Sequence, residues 1–90
     1  MPKGFLEHAN ITVSNPERSS ALLQDLCGWH ERWRGPSQAG GNSIHVGNDT
    51  CYLALYTHGG IVARHAKGQP LNHLALVVDD FAAAQEVVRM

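Results

Sequence analysis

Ninety residues with 43% hydrophobic content and a formal net charge of -1 suffice for one small globular domain, one that buries only about 60% of the surface its unfolded chain exposes. No basic cluster marks a nucleic-acid surface, and no apolar run nears the roughly 20 residues that cross a bilayer, so neither nucleic acid nor membrane is an expected partner. The first residues lead at once into an apolar strand pattern rather than a signal sequence, and the two cysteines, Cys27 and Cys51, fit reduced thiols of a cytoplasmic protein.

The first expected element is a strand at 6–13, where Leu6, His8, Ile11 and Val13 form the pattern L-x-H-x-x-[IL]-x-V. Alternation along it places His8, Asn10 and Thr12 on one face and Ala9, Ile11 and Val13 on the other. A helix comes next at 16–27: Ser14 and Glu17 have capping-box spacing, Pro16 suits a first turn, and Gly28 is a stop. Residues 29–34 alternate as a strand, with Trp29, Glu31 and Trp33 on one face and His30, Arg32 and Arg34 on the other. The stretch 36–42, rich in Gly and small polar residues, is a loop. Beyond it lie strands at 43–46 and 50–56, turned into a hairpin by Gly47, Asn48 and Asp49. By analogy of position Tyr52, Ala54 and Tyr56 share the His8 face, leaving Cys51, Leu53 and Leu55 for the helix side. A longer loop fills 57–70.

The opening pattern then recurs 65 residues on, as Leu71, His73, Leu76 and Val78. The residues after it also match the first copy, because Asp79 or Asp80 can cap a helix whose stripe is Ala84, Val87 and Val88. One supersecondary unit used twice puts its two histidines at equivalent places, where imidazoles can meet at one site. A lone His on a half-buried strand is usually structural, and it is the repeat that raises His8 and His73 above that reading. His30, His45, His58 and His65 lack such support and read as surface or loop residues. Trp29 and Trp33 read as core or interface, and Arg32 and Arg34 as a solvated strand face.

A first unit of order βαβββ opening with LEHANITVSNPERS, followed by a second opening with LNHLALVVDD, resembles the vicinal oxygen chelate superfamily. That superfamily includes glyoxalase I, extradiol dioxygenases, fosfomycin-resistance enzymes and bleomycin-resistance proteins. The resemblance implies an α+β fold of paired βαβββ modules in a half-open barrel, here a single domain over 1–90 with a first module at 5–57, a connecting loop at 58–70 and the start of a second module at 71–90. On the repeat spacing the second module runs on to about position 120, so the chain reads as part of a longer paired fold whose open edges favour a homodimer.

In the metal-dependent members the first strand of each module supplies a His, which matches His8 and His73. The last strand of the first module sometimes supplies a Glu or Gln where this chain has Ala54, and the last strand of the second supplies a Glu that would lie beyond residue 90. The implied cofactor is a divalent ion of the Fe, Mn, Zn or Ni kind. The resemblance thus implies a metal-dependent enzyme acting on a small molecule that it chelates through adjacent oxygens, with Asn10, Thr12, Tyr52, Ala54 and Tyr56 facing the substrate cleft. Its alternative is a drug-binding module that works by sequestration, which Ala54 and the missing carboxylate favour.

Overall fold

The structure, a computed structural model, describes residues 2–38, 40–59 and 73–89. Its elements among those residues are β1 (His8–Thr12), α1 (Pro16–Cys27), β2 (His30–Pro36), β3 (Asn42–Gly47), β4 (Tyr52–Thr57) and α2 (Phe81–Arg89). The strands form one sheet in the order β1-β4-β3-β2. β1 runs parallel to β4, and the other two pairings are antiparallel.

One face of the sheet is covered by α1, which packs on β3 and β4 and is itself flanked by α2. Ile44 lies opposite Leu55, and Val46 opposite Leu53. Ile44, Val46 and Leu55 are buried, so the alternating strand pattern delivers its apolar set to the helix side as expected. Ser20 is buried too, a small side chain in α1 whose hydroxyl accepts from the Gln24 side-chain amide at 3.1 Å. The β3–β4 turn is organised by Asn48, whose Oδ1 accepts from the Thr50 and Cys51 backbone N–H groups and from the Thr50 hydroxyl, each at 2.9 Å.

Three expectations are corrected. The cap of α1 is Asn15, not Ser14: its backbone is extended and its Oδ1 accepts from the Arg18 N–H at 3.2 Å. Glu17 is then free to pair with Arg34 of β2 instead of closing a capping box. The alternation expected along β2 is broken by an irregularity between Glu31 and Trp33, which puts Glu31 opposite Val46 but Trp33 opposite His45 and Arg34 opposite Ile44. A bulge of this kind adds a residue to one strand and re-aims the side chains beyond it. Glu31 and Arg34 thereby share the helix side, where the Arg34 guanidinium contacts both Glu31 and Glu17, while Trp33 turns to the other face.

The third correction concerns the repeat. Leu71 and Asn72 lie outside the described residues, as do positions 60–70 where a loop is expected, and 73–78 have no regular secondary structure. A strand exists by its ladder hydrogen bonds, and no described strand runs beside this stretch. The helix after it forms at 81–89, capped by Asp80, whose carboxylate accepts from the Ala83 N–H at 3.0 Å.

Candidate functional site

The sheet face away from α1 carries the polar residues that alternation assigned to it. Register places His8 beside Tyr52, Asn10 beside Ala54 and Thr12 beside Tyr56. A cavity of about 750 Å³ lies on this face, lined by His8, Asn10, Thr12, Ala54 and Tyr56 among others. Tyr52 stands in the same row but outside that cavity. Ala54 and Ser43 are almost fully buried and form its floor.

Two residues passed over in the sequence belong here. His45, on β3, is opposite Ala54 and lines the cavity. Trp33 joins it through the bulge in β2, with ring centroids 4.9 Å apart. Rings then continue across the sheet, His45 to Tyr52 at 4.8 Å and Tyr52 to His8 at 4.8 Å, so every strand contributes one. The Arg32 guanidinium sits over the Tyr52 ring at 4.4 Å and donates to the Asn48 carbonyl at 3.1 Å. Partial burial, then the neighbouring His8 and Arg32 charges, hold the His45 pKa below its ordinary value, because each disfavours the imidazolium.

His8 is exposed, and its Nδ1 lies 3.0 Å from a Glu7 carboxylate oxygen. A carboxylate only accepts, so Nδ1 is the donor of this pair and Nε2 is the nitrogen that points away from Glu7. A histidine held by a carboxylate through one nitrogen is a usual preparation for metal ligation through the other. Glu7 was legible only as the residue before His8. The same fit does not extend to a complete ligand set: among the described residues no three His, Cys, Asp or Glu side chains gather where they could hold an ion. His73 is exposed at the start of the irregular stretch and is not among the residues lining the His8 cavity.

A second cavity, about 870 Å³, lies on the helix side between the end of α1, β4 and residues 74–79. It is the larger of the two, but its lining is mainly apolar, with Leu26, Trp29, Leu53 and Leu76 among it. Cys27 and Cys51 line it as free thiols, and burial pushes the Cys27 pKa up, which favours the thiol over the thiolate.

No protein-family model matches the chain, and no curated protein matches it. Among solved structures it superimposes on the genomically encoded fosfomycin resistance protein FosX from Listeria monocytogenes, a structure complexed with Mn(II) and sulfate ion. The TM-score is 0.65, the match covers 99% of this chain and 71% of that one, and 12% of matched residues are identical. At that identity the likeness is one of fold, and it places the chain in the glyoxalase-like α+β class.

Proposed function

We propose that this chain belongs to a metal-dependent enzyme of the glyoxalase and dioxygenase kind, in which His8 and His73 hold a divalent ion and a small molecule binds on the open sheet face. The observation that carries the reading is the hydrogen bond from His8 Nδ1 to Glu7, which engages one ring nitrogen and leaves Nε2 as the one toward an ion, on a fold similar to that of FosX, whose structure was complexed with Mn(II). A divalent ion held there would supply Lewis acidity to adjacent oxygens of the bound molecule. The reading requires a carboxylate from outside the described residues to complete the protein ligands, and a homodimer is the assembly that it implies.

This chain's own residues position the substrate. Asn10 and Thr12 offer an amide and a hydroxyl beside His8. His45, kept neutral by burial, can accept a proton at one ring nitrogen while donating from the other. Ala54 offers no donor atom. The cytoplasm suits the two free thiols, and none of the described helices is long and apolar enough to cross a membrane.

The binding-module alternative is favoured by a different observation, the row of rings from Trp33 to His8, which needs no ion to hold a ligand. Mn(II) titration followed by electron paramagnetic resonance separates the two readings. Metal dependence predicts saturable binding that His8→Ala abolishes and that Glu7→Gln weakens by about tenfold or more, the usual cost of losing the group that orients a ligating imidazole. Equal Mn(II) binding by wild type and His8→Ala contradicts the enzyme reading and leaves the binding module.

A further inference from the structure

Tyr52 shares the His8 face of the sheet but does not line the cavity beside Asn10 and Thr12. Its ring is covered by side chains of this chain instead. His8, its partner in register, stacks on it nearly parallel, with planes 10° apart and centroids 4.8 Å apart. His45 stacks at the same 4.8 Å, tilted by 24°. The Arg32 guanidinium lies over the ring, 4.4 Å from its centroid.

Arg32 reaches that place for two local reasons. Glu31 and Trp33 pair with the consecutive residues Val46 and His45, so Arg32 is the extra residue of the β2 bulge, and a bulge re-aims the side chain it adds. Gly47, opposite Tyr52, sets no side chain between β4 and β2, because a Cβ there would lie 2.5 Å from the Tyr52 Cα and 2.6 Å from its Cβ. Arg32 crosses β3 at this gap and donates to the carbonyl of Asn48, the next residue, at 3.1 Å. The other end of the unit is closed by Glu7, whose carbonyl accepts from the Tyr52 N–H at 2.9 Å and whose carboxylate accepts from His8 Nδ1 at 3.0 Å.

We propose that Tyr52, clamped by Arg32, is the positioning residue of His8: the stack fixes the plane of the imidazole, and Glu7 fixes which edge of it faces outward. An exposed histidine is otherwise loose about its terminal side-chain bond, where the preference is broad. The lone pair of a ring nitrogen lies in the ring plane, so holding that plane sets the line along which Nε2 meets an ion. The proposal rests on the reading of His8 as a ligand and adds what orients it, but the stack itself needs no ion.

Proton NMR of the metal-free 90-residue protein, at one fixed alkaline pH, tests the clamp. The His8 ring resonances, identified by their loss in His8→Gln, should be displaced upfield by the Tyr52 ring and show Overhauser contacts to it. Tyr52→Phe keeps the ring and should leave the displacement in place, whereas Tyr52→Leu and Arg32→Met should each reduce it. Mn(II) titration of the same set should find affinity unchanged in Tyr52→Phe and lower by about tenfold or more in Tyr52→Leu, the usual cost of losing an outer group that orients a ligating imidazole. Arg32 is exposed, so its variant keeps the comparison open where Tyr52→Leu fails to fold. Undisplaced His8 resonances in the wild type, or a displacement that survives Arg32→Met and Tyr52→Leu alike, overturn the clamp. An Mn(II) affinity that falls as far in Tyr52→Phe as in Tyr52→Leu overturns it too. A wild type that shows the stacked His8 yet binds no Mn(II) overturns the metal reading alone and supports the clamp.

Discussion

Residues 6–13 and 71–78 carry the same sequence pattern, yet the first becomes a strand of the sheet while the described part of the second, 73–78, forms none. His8 to Thr12 lie against β4 along their whole length, and Ala9 and Ile11 are half-buried beneath them. In the second copy Leu74 is 44% exposed, Leu76 40% and Val77 99%. The helices of the two copies differ less: α1 and α2 both form, both are capped by an Asx side chain, and they pack on each other. The pair shows that a helix carries its own hydrogen bonds and forms wherever a cap and a stripe are present, whereas a strand needs a neighbour.

The largest effect expected from that contrast is in the core. Leu55→Ala, at a fully buried position of β4, should cost about 2–5 kcal/mol in urea unfolding, the usual range for a core Leu truncation. Leu76→Ala in the second copy should change stability by less than about 0.5 kcal/mol. Similar costs at the two positions would mean that 73–78 is packed as fully as β4. Next come the caps. Asn15→Ala should destabilise by about 1 kcal/mol, and amide exchange should show α1 fraying from its first turn. Asp80→Ala should raise exchange in α2 while hardly moving the global unfolding midpoint, because no residue of α2 is buried; an equal loss of global stability in both variants would break the distinction.

The smallest expected effect is one of pH. His45 titrates below its ordinary value of 6.5 in the folded protein, so the unfolded chain binds its proton first. Stability from this group is therefore complete above pH 6.5 and declines as acid takes the pH through that value toward the folded-state pKa. His45→Gln should flatten that part of the stability profile. An unchanged slope from about pH 7 to about pH 5 would show that other groups set it.

Much of the first unit was legible because its signals are local. Pro16 and Gly28 bound α1 as read, Gly47 and Asn48 turn β3 into β4, and alternation placed His8, Asn10, Thr12, Ala54 and Tyr56 on the open face. Alternation failed in β2, since a bulge leaves no mark in composition and only its pairing with β3 reveals that Trp33 and Arg34 face opposite ways. His45 was missed for a related reason: its value comes from Ala54 and Tyr52 across the strand, which are contacts distant in sequence. The strand expected at 71–78 rested on a repeated pattern, and a pattern states which face would be buried without supplying the neighbour that buries it.

The central claim is that two histidines at matching places in the repeat hold one ion, and it is tested most directly by removing the one in the second copy. Mn(II) binding to the longest soluble form of the protein should be lost in His73→Ala as completely as in His8→Ala, with one ion per site in the wild type. Retention of full Mn(II) affinity in His73→Ala, with loss confined to His8→Ala, would contradict the convergence of the two copies on a shared site.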